Sequence, residues 1–438
     1  MKATIKYIGY LLGATLSLAA MFTACNTDDI DYPDRFKQTK GVPKVYYVRE
    51  AEGEVAITQA SMEQLVCLVG ENLTSIHDLY FNDQPAILNT SYMTKNTLLV
   101  AVPKGQAVVV TDKIYMITKD STVVTYDFKV LAPTPKISGM SCEWAQPGET
   151  VTIRGSYFTS PLTVEFPGCD PIQITSTTST EAFDVKIPVG AQPGKIKVTT
   201  DSGTAQSVFM YKDTRGLLFD FDGVTGLDNH GWNGHSYTTD DTAISGNFIQ
   251  LGDGSSVLNE GTWDESHFSF VYWPGSWNDP EDYSEAPRLT DFADFTNWTN
   301  MALKFEMYIP SSSPWTNCSM QICFAGVDKV TSGAECDDIY GNHVAGANNL
   351  YMTSNESPRA LYNPWKSTGS FDTGDKWITV TLPFSEFIYG WDGNPSPGTL
   401  SADSFTSMWM FVCQGNIVEG VDTTPIIKID NIRAVPYK

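Results

Sequence analysis

The residues of this chain best suited to chemistry are flat aromatic side chains set among polar turn residues. Tyr272-Trp273-Pro-Gly-Ser-Trp277-Asn-Asp-Pro brings three rings into one turn-rich segment, and Asn229-His-Gly-Trp232-Asn-Gly places a Trp between glycines. Ser313-Pro-Trp315-Thr-Asn, Tyr362-Asn-Pro-Trp365-Lys and Tyr389-Gly-Trp391-Asp-Gly repeat the theme. A pyranose has an apolar C–H face and a hydroxyl rim. Indole and phenol rings stack on the first, while amide, carboxylate and guanidinium groups satisfy the second. Trp273 and Trp277 are therefore the first candidates for a ligand platform, Trp232 the next, and Tyr272, Trp315, Trp365 and Trp391 complete the set. Lys304, Glu306 and Gln321 are hydrogen-bond candidates if their sheet face is concave. Trp263, Trp298, Trp377 and Trp409 have the apolar or alternating contexts of packing residues.

Covalent and metal chemistry find little support. There is no Gly-x-Ser-x-Gly, no His-Glu-x-x-His and no phosphate loop. His230 and His235 lie in a Gly-rich loop and read as turn residues. No phrase singles out a pair of carboxylates at the spacing glycoside hydrolysis needs. The reading is a non-enzymatic one, with no cofactor. Asp220-Phe-Asp222-Gly, with Asp228 beyond, is compatible with a structural Ca²⁺, although it lacks EF-hand spacing.

Elements that could position such rings are legible as strands. Ala302–Ile309 alternates Leu303, Phe305, Met307 and Ile309 against Lys304, Glu306 and Tyr308. Ser319–Phe324 and Met408–Cys413 follow the same period of two, which predicts one core face and one polar face per strand. Of the 11 Trp, ten follow residue 212, where 10 basic residues face 30 acidic ones. The whole chain of 438 residues carries a formal charge of −23. An acidic surface disfavours nucleic acid and uronate-rich polymers, which leaves an uncharged sugar chain as the expected partner.

Upstream, Val66, Gly70, Phe81, Pro103 and Gly105 recur 85 positions later as Val151, Gly155, Phe166, Pro188 and Gly190. Each copy alternates strand-like runs with turn residues, which predicts two small β-sandwiches. The first 24 residues pair Lys2 and Lys6 with an apolar run and end in Phe22-Thr23-Ala24 before Cys25, the pattern of a secretory signal. Cys25 is the expected lipidation site, followed by an acidic tether over 25–42. Seven other cysteines cannot all pair, and Cys318–Cys323 and Cys323–Cys336 bridges remain open.

These phrases carry a resemblance. Phe22-Thr-Ala-Cys25 resembles a relaxed bacterial lipobox, and Asn26-Thr-Asp-Asp-Ile-Asp31 resembles the export signal of Bacteroidota surface lipoproteins. Gly148-Glu-Thr-Val-Thr-Ile-Arg-Gly155-Ser-Tyr-Phe158 resembles the IPT/TIG immunoglobulin-like fold. The closing Ile429-Asp-Asn-Ile-Arg433 and the opening Leu218-Phe-Asp-Phe-Asp222 resemble jelly-roll glycan binders. In plan the chain is similar to surface glycan-binding lipoproteins of polysaccharide-utilisation loci that end in a xyloglucan-binding-type domain. That resemblance implies an all-β chain: Ig-like domains at 43–132 and 133–211, then a larger jelly-roll-like sandwich at 212–438. It implies a plant β-glucan ligand, xyloglucan or mixed-linkage glucan, and an outer-membrane location facing the exterior. It also makes an outer-membrane glycan transporter a candidate partner. A glycoside hydrolase on an Ig-like stalk and a structural adhesin are the alternatives.

Overall fold

The computed structural model describes residues 38–107, 109–175, 177, 179–227, 237–274, 287–331, 335–338, 343–344, 353–415 and 417–437. The lipobox with Cys25, and Trp232, Trp277, His230, His235 and Asp228, lie outside the described residues.

The chain is an all-β protein divided into two compact units, one ending at Ala132 and one beginning at Pro133. In the first, the strands Lys44–Glu50, Leu65–Glu71 and Thr97–Ala101 form one sheet with a short edge at Ala56–Ile57. A second sheet holds Ile76–Phe81, Lys113–Thr118 and Val123–Asp127. Val66, Leu68, Phe81, Leu98, Ile114 and Met116 fill the space between.

The second unit begins with a smaller sandwich of the same kind. Lys136–Met140, Thr150–Ser156 and Ala182–Lys186 form one sheet, and Leu162–Glu165 and Lys197–Thr200 are central to the other. The repeated glycine has a concrete cause here. Gly155 sits inside a strand, opposite a register shift in Lys136–Met140. A Cβ on it would stand 1.9 Å from the Lys136 carbonyl oxygen, and Gly70 meets Lys44 in the same way. The residue is required for close approach of two backbones, not for a turn after the strand.

The larger sandwich follows in the same unit. Its five-stranded sheet runs Leu217–Phe219, Ile427–Pro436, Met301–Tyr308, Ile378–Pro383, with Ile249–Leu251 also pairing with Ile427–Pro436. The facing sheet runs Ser269–Tyr272, Ser407–Cys413, Ser319–Ala325, Arg359–Tyr362. Phe270 and Tyr272 pack on Phe219 across the core, which fixes the inner face of this second sheet. A short helix, Glu265–Phe268, is capped by the Asp264 side chain, which accepts from the His267 backbone.

The alternating strands are buried on both faces. On the five-stranded sheet, the polar set is covered by the small sandwich. Lys304 Nζ donates to Glu143 Oε1, and Arg433 bridges Glu143 Oε2 at 2.9 Å and Glu306 Oε2 at 2.7 Å. Thr379 Oγ1 donates to Glu306 Oε1 at 2.9 Å, and its backbone N–H donates to Ser141 O at 2.9 Å. Ile244 and Trp377 of the large sandwich join the apolar core of the small one. Lys304 and Glu306 therefore belong to a seam between sandwiches. They are neither solvated nor turned towards a ligand, because two cations and two carboxylates can be buried together only when they pair.

Candidate functional site

With that outer face occupied, the second sheet offers the remaining broad face of the large sandwich. Strand register puts Trp409 and Phe411, Gln321 and Cys323, and Arg359 on its outer side. Three indoles meet there. Trp263 stands 5.4 Å from Trp391 at 59° and 6.5 Å from Trp409 at 30°, while Trp391 lies 6.3 Å from Trp409. Phe411 meets Trp263 edge-on at 4.9 Å. Trp263 is 40% exposed and Trp409 fully buried, with Trp391 between these extremes. The result is an aromatic ridge whose outer ring meets solvent.

Polar groups underlie it. The Arg359 guanidinium is centred 5.6 Å from the Trp391 ring and 5.9 Å from Trp409. It donates to Gln321 Oε1 at 2.8 Å and to the Ser354 carbonyl at 2.9 Å. Trp263 Nε1 donates to Glu265 Oε1, so the helix N-terminus sets that ring's azimuth. Trp409 Nε1 is buried and has no hydrogen-bond partner among the described residues.

The other aromatic candidates are distributed differently. Tyr272 lies in the core and donates its hydroxyl to Pro287 O, and burial pushes that phenol well above its usual range. Trp273 is 1% exposed at the end of the same strand. Trp315 is fully buried and donates to Asn317 O at 2.7 Å, and Trp365 donates to Cys318 O at 2.8 Å. Among the described members of the candidate set, Trp391 is the one that reaches the ridge. Trp263, read from sequence as a packing residue, is its most exposed ring. The signal was available: Trp263 stands directly before Asp264, the cap of a helix, where a large ring has no strand to pack in.

Gln321, expected on a polar face, is buried beneath the ridge, and its Nε2 donates to Gln414 O at 2.6 Å. Asp220 caps its own turn, accepting from the backbone N–H groups of Asp222 and Val224. Asp222 accepts from Asn247. Among the described residues no group of three or more metal-ligating side chains gathers. Cys318 and Cys323 carry free thiols, raised by burial to about 12 and about 11.

A large β-sandwich with a partly exposed indole ridge, preceded by Ig-like sandwiches, is the arrangement to be compared with known proteins. The model of the surface glycan-binding protein B xyloglucan binding domain matches residues 211–436. The surface glycan-binding protein PbSGBP-B from Prevotella bryantii is 40% identical, over 91% of this chain and 99% of that one, with a TM-score of 0.74. The chain belongs to the surface glycan-binding protein B family. An IPT/TIG domain-containing protein of Bacteroides ovatus is 26% identical over 200 residues, which is 41% of this chain and only 39% of that protein's length.

Proposed function

We propose that this protein captures a neutral plant β-glucan, xyloglucan or mixed-linkage glucan, at the Trp263–Trp391 ridge without cleaving it. The observation that carries the reading is the pair of tilted indoles 5.4 Å apart, one of them 40% exposed, on the sheet face opposite the seam. A Trp ring left 40% exposed beside a second, half-buried one is suited to the C–H faces of sugars. The family description names xyloglucan, which supports the same ligand class. Ten basic residues against 30 acidic ones in 213–438 disfavour a polyuronate.

Cys25 anchors the mature chain to the outer membrane, and the Ig-like domains hold the binding sandwich away from it for hand-over to a glycan transporter. Affinity electrophoresis of the secreted form in gels containing xyloglucan, mixed-linkage glucan or polygalacturonate tests the ligand. Retardation by either neutral glucan supports the reading. Retardation by polygalacturonate alone, or release of reducing ends that a single carboxylate substitution abolishes, overturns it. Loss of radiolabelled palmitate incorporation in Cys25→Ser tests the anchor.

A further inference from the structure

The geometry points to Arg359 as the positioning residue of the aromatic ridge, holding Trp391 against the buried Trp409 at the angle that a sugar meets. This rests on the reading of the ridge as the glucan site. Arg359 is fully buried, so a ligand on Trp263 and Trp391 cannot reach it, and any effect it has on binding passes through the rings.

Its fork is held in plane from two sides, by Gln321 Oε1 at 2.8 Å and Ser354 O at 2.9 Å. Gln321 is itself fixed by its bond to Gln414 O. The cation then lies against both indoles, 5.6 and 5.9 Å from their centroids. A planar, weakly hydrated guanidinium can bond sideways and stack at once, which an ammonium cannot. The backbone adds a second tie. Arg359 N donates to Tyr389 O at 2.9 Å and Tyr389 N to Arg359 O at 3.1 Å, pinning the segment that carries Trp391 two residues later. Strand, cation and ring thus form one linkage from the sheet to the exposed surface.

The test compares the full secreted chain with Arg359→Lys and Gln321→Met. It uses near-ultraviolet circular dichroism of the free protein and calorimetric titration with a xyloglucan heptasaccharide and a mixed-linkage heptasaccharide. Indoles 5.4–6.5 Å apart interact closely enough that the aromatic circular dichroism responds to a change in their mutual orientation. Arg359→Lys is expected to change the indole signal and weaken binding about fivefold or more while still melting cooperatively. Gln321→Met, which leaves the cation in place but removes one of the hydrogen bonds that orient it, is expected to shift the same signal in the same direction by less. An indole signal unchanged in both variants overturns the positioning role. So does an Arg359→Lys that fails to fold while Gln321→Met keeps a wild-type signal and affinity. If the unaltered protein binds neither heptasaccharide, the glucan reading fails, and the spectral comparison still decides whether Arg359 sets the rings.

Discussion

Glu143 Oε2 and Arg433 Nη2 lie 2.9 Å apart although 290 residues separate them. Glu143 belongs to the small sandwich and Arg433 to a central strand of the large one. Both are buried, and Glu143 also takes the Lys304 ammonium. Removing Glu143 leaves two cations against Glu306 alone, in a place water does not reach. Glu143→Ala is expected to destabilise the 133–438 unit by about 3–5 kcal/mol in urea titration, because it strands buried charge. By the same logic, a 212–438 fragment should unfold at a lower urea concentration than 133–438.

Trp263 and Trp315 separate binding from folding. Trp263→Ala removes a half-exposed ring and is expected to weaken glucan retention about tenfold or more, with a small change in melting temperature. Trp315→Ala empties a fully buried site and is expected to lose about 3–5 kcal/mol of stability. Paired melting curves and affinity electrophoresis of the two variants check this. Equal loss of stability in both would place Trp263 in the core.

Asp430 gives the large sandwich a pH dependence. Burial raises its carboxyl from 3.8 to about 8, although Ser245 Oγ and Asn431 N both donate to it. The folded state therefore holds a proton that the unfolded chain releases near pH 4. Stability contributed by this group is complete below that value and is lost as pH rises towards 8. Asp430→Asn keeps a neutral group of the same shape. Its melting temperature is expected to fall by a few °C less than that of the wild type between about pH 5 and pH 8. Parallel slopes in differential scanning calorimetry would contradict this assignment.

Gly155→Ala places a methyl 1.9 Å from Lys136 O, where backbone must move to admit it. A loss of about 1–3 kcal/mol is expected in chemical denaturation, with the glucan affinity of the folded protein unchanged.

Much of the fold was legible because repeat and alternation are direct records of strands. The 85-residue spacing marked Val66 and Val151, Phe81 and Phe166 as equivalent, and all four are buried core residues. Alternation failed where it was asked for solvent exposure. Lys304 is polar because it meets Glu143, Glu306 because it meets Arg433, and Gln321 because it meets Arg359. None of these partners is near them in sequence, so period two could separate the faces but not say what covered each. Trp315 and Trp365 misled for a related reason. Their polar, Pro-bearing surroundings look exposed, yet a buried indole N–H needs an acceptor, and irregular backbone at Asn317 and Cys318 supplies carbonyls that a strand would have spent on its neighbours.

The seam also bears on mechanics. If the ridge is the glucan site, a polymer pulled away from it would load the large sandwich about its covalent link to the small one, near Tyr211–Asp213. That link alone would be a short hinge arm. Thr379 gripping Ser141, and Arg433 and Lys304 gripping Glu143, add a second fulcrum on the same face, backed by Trp377 wedged into the neighbouring core. Such a load would then be shared with the small sandwich through these contacts instead of falling on the link alone.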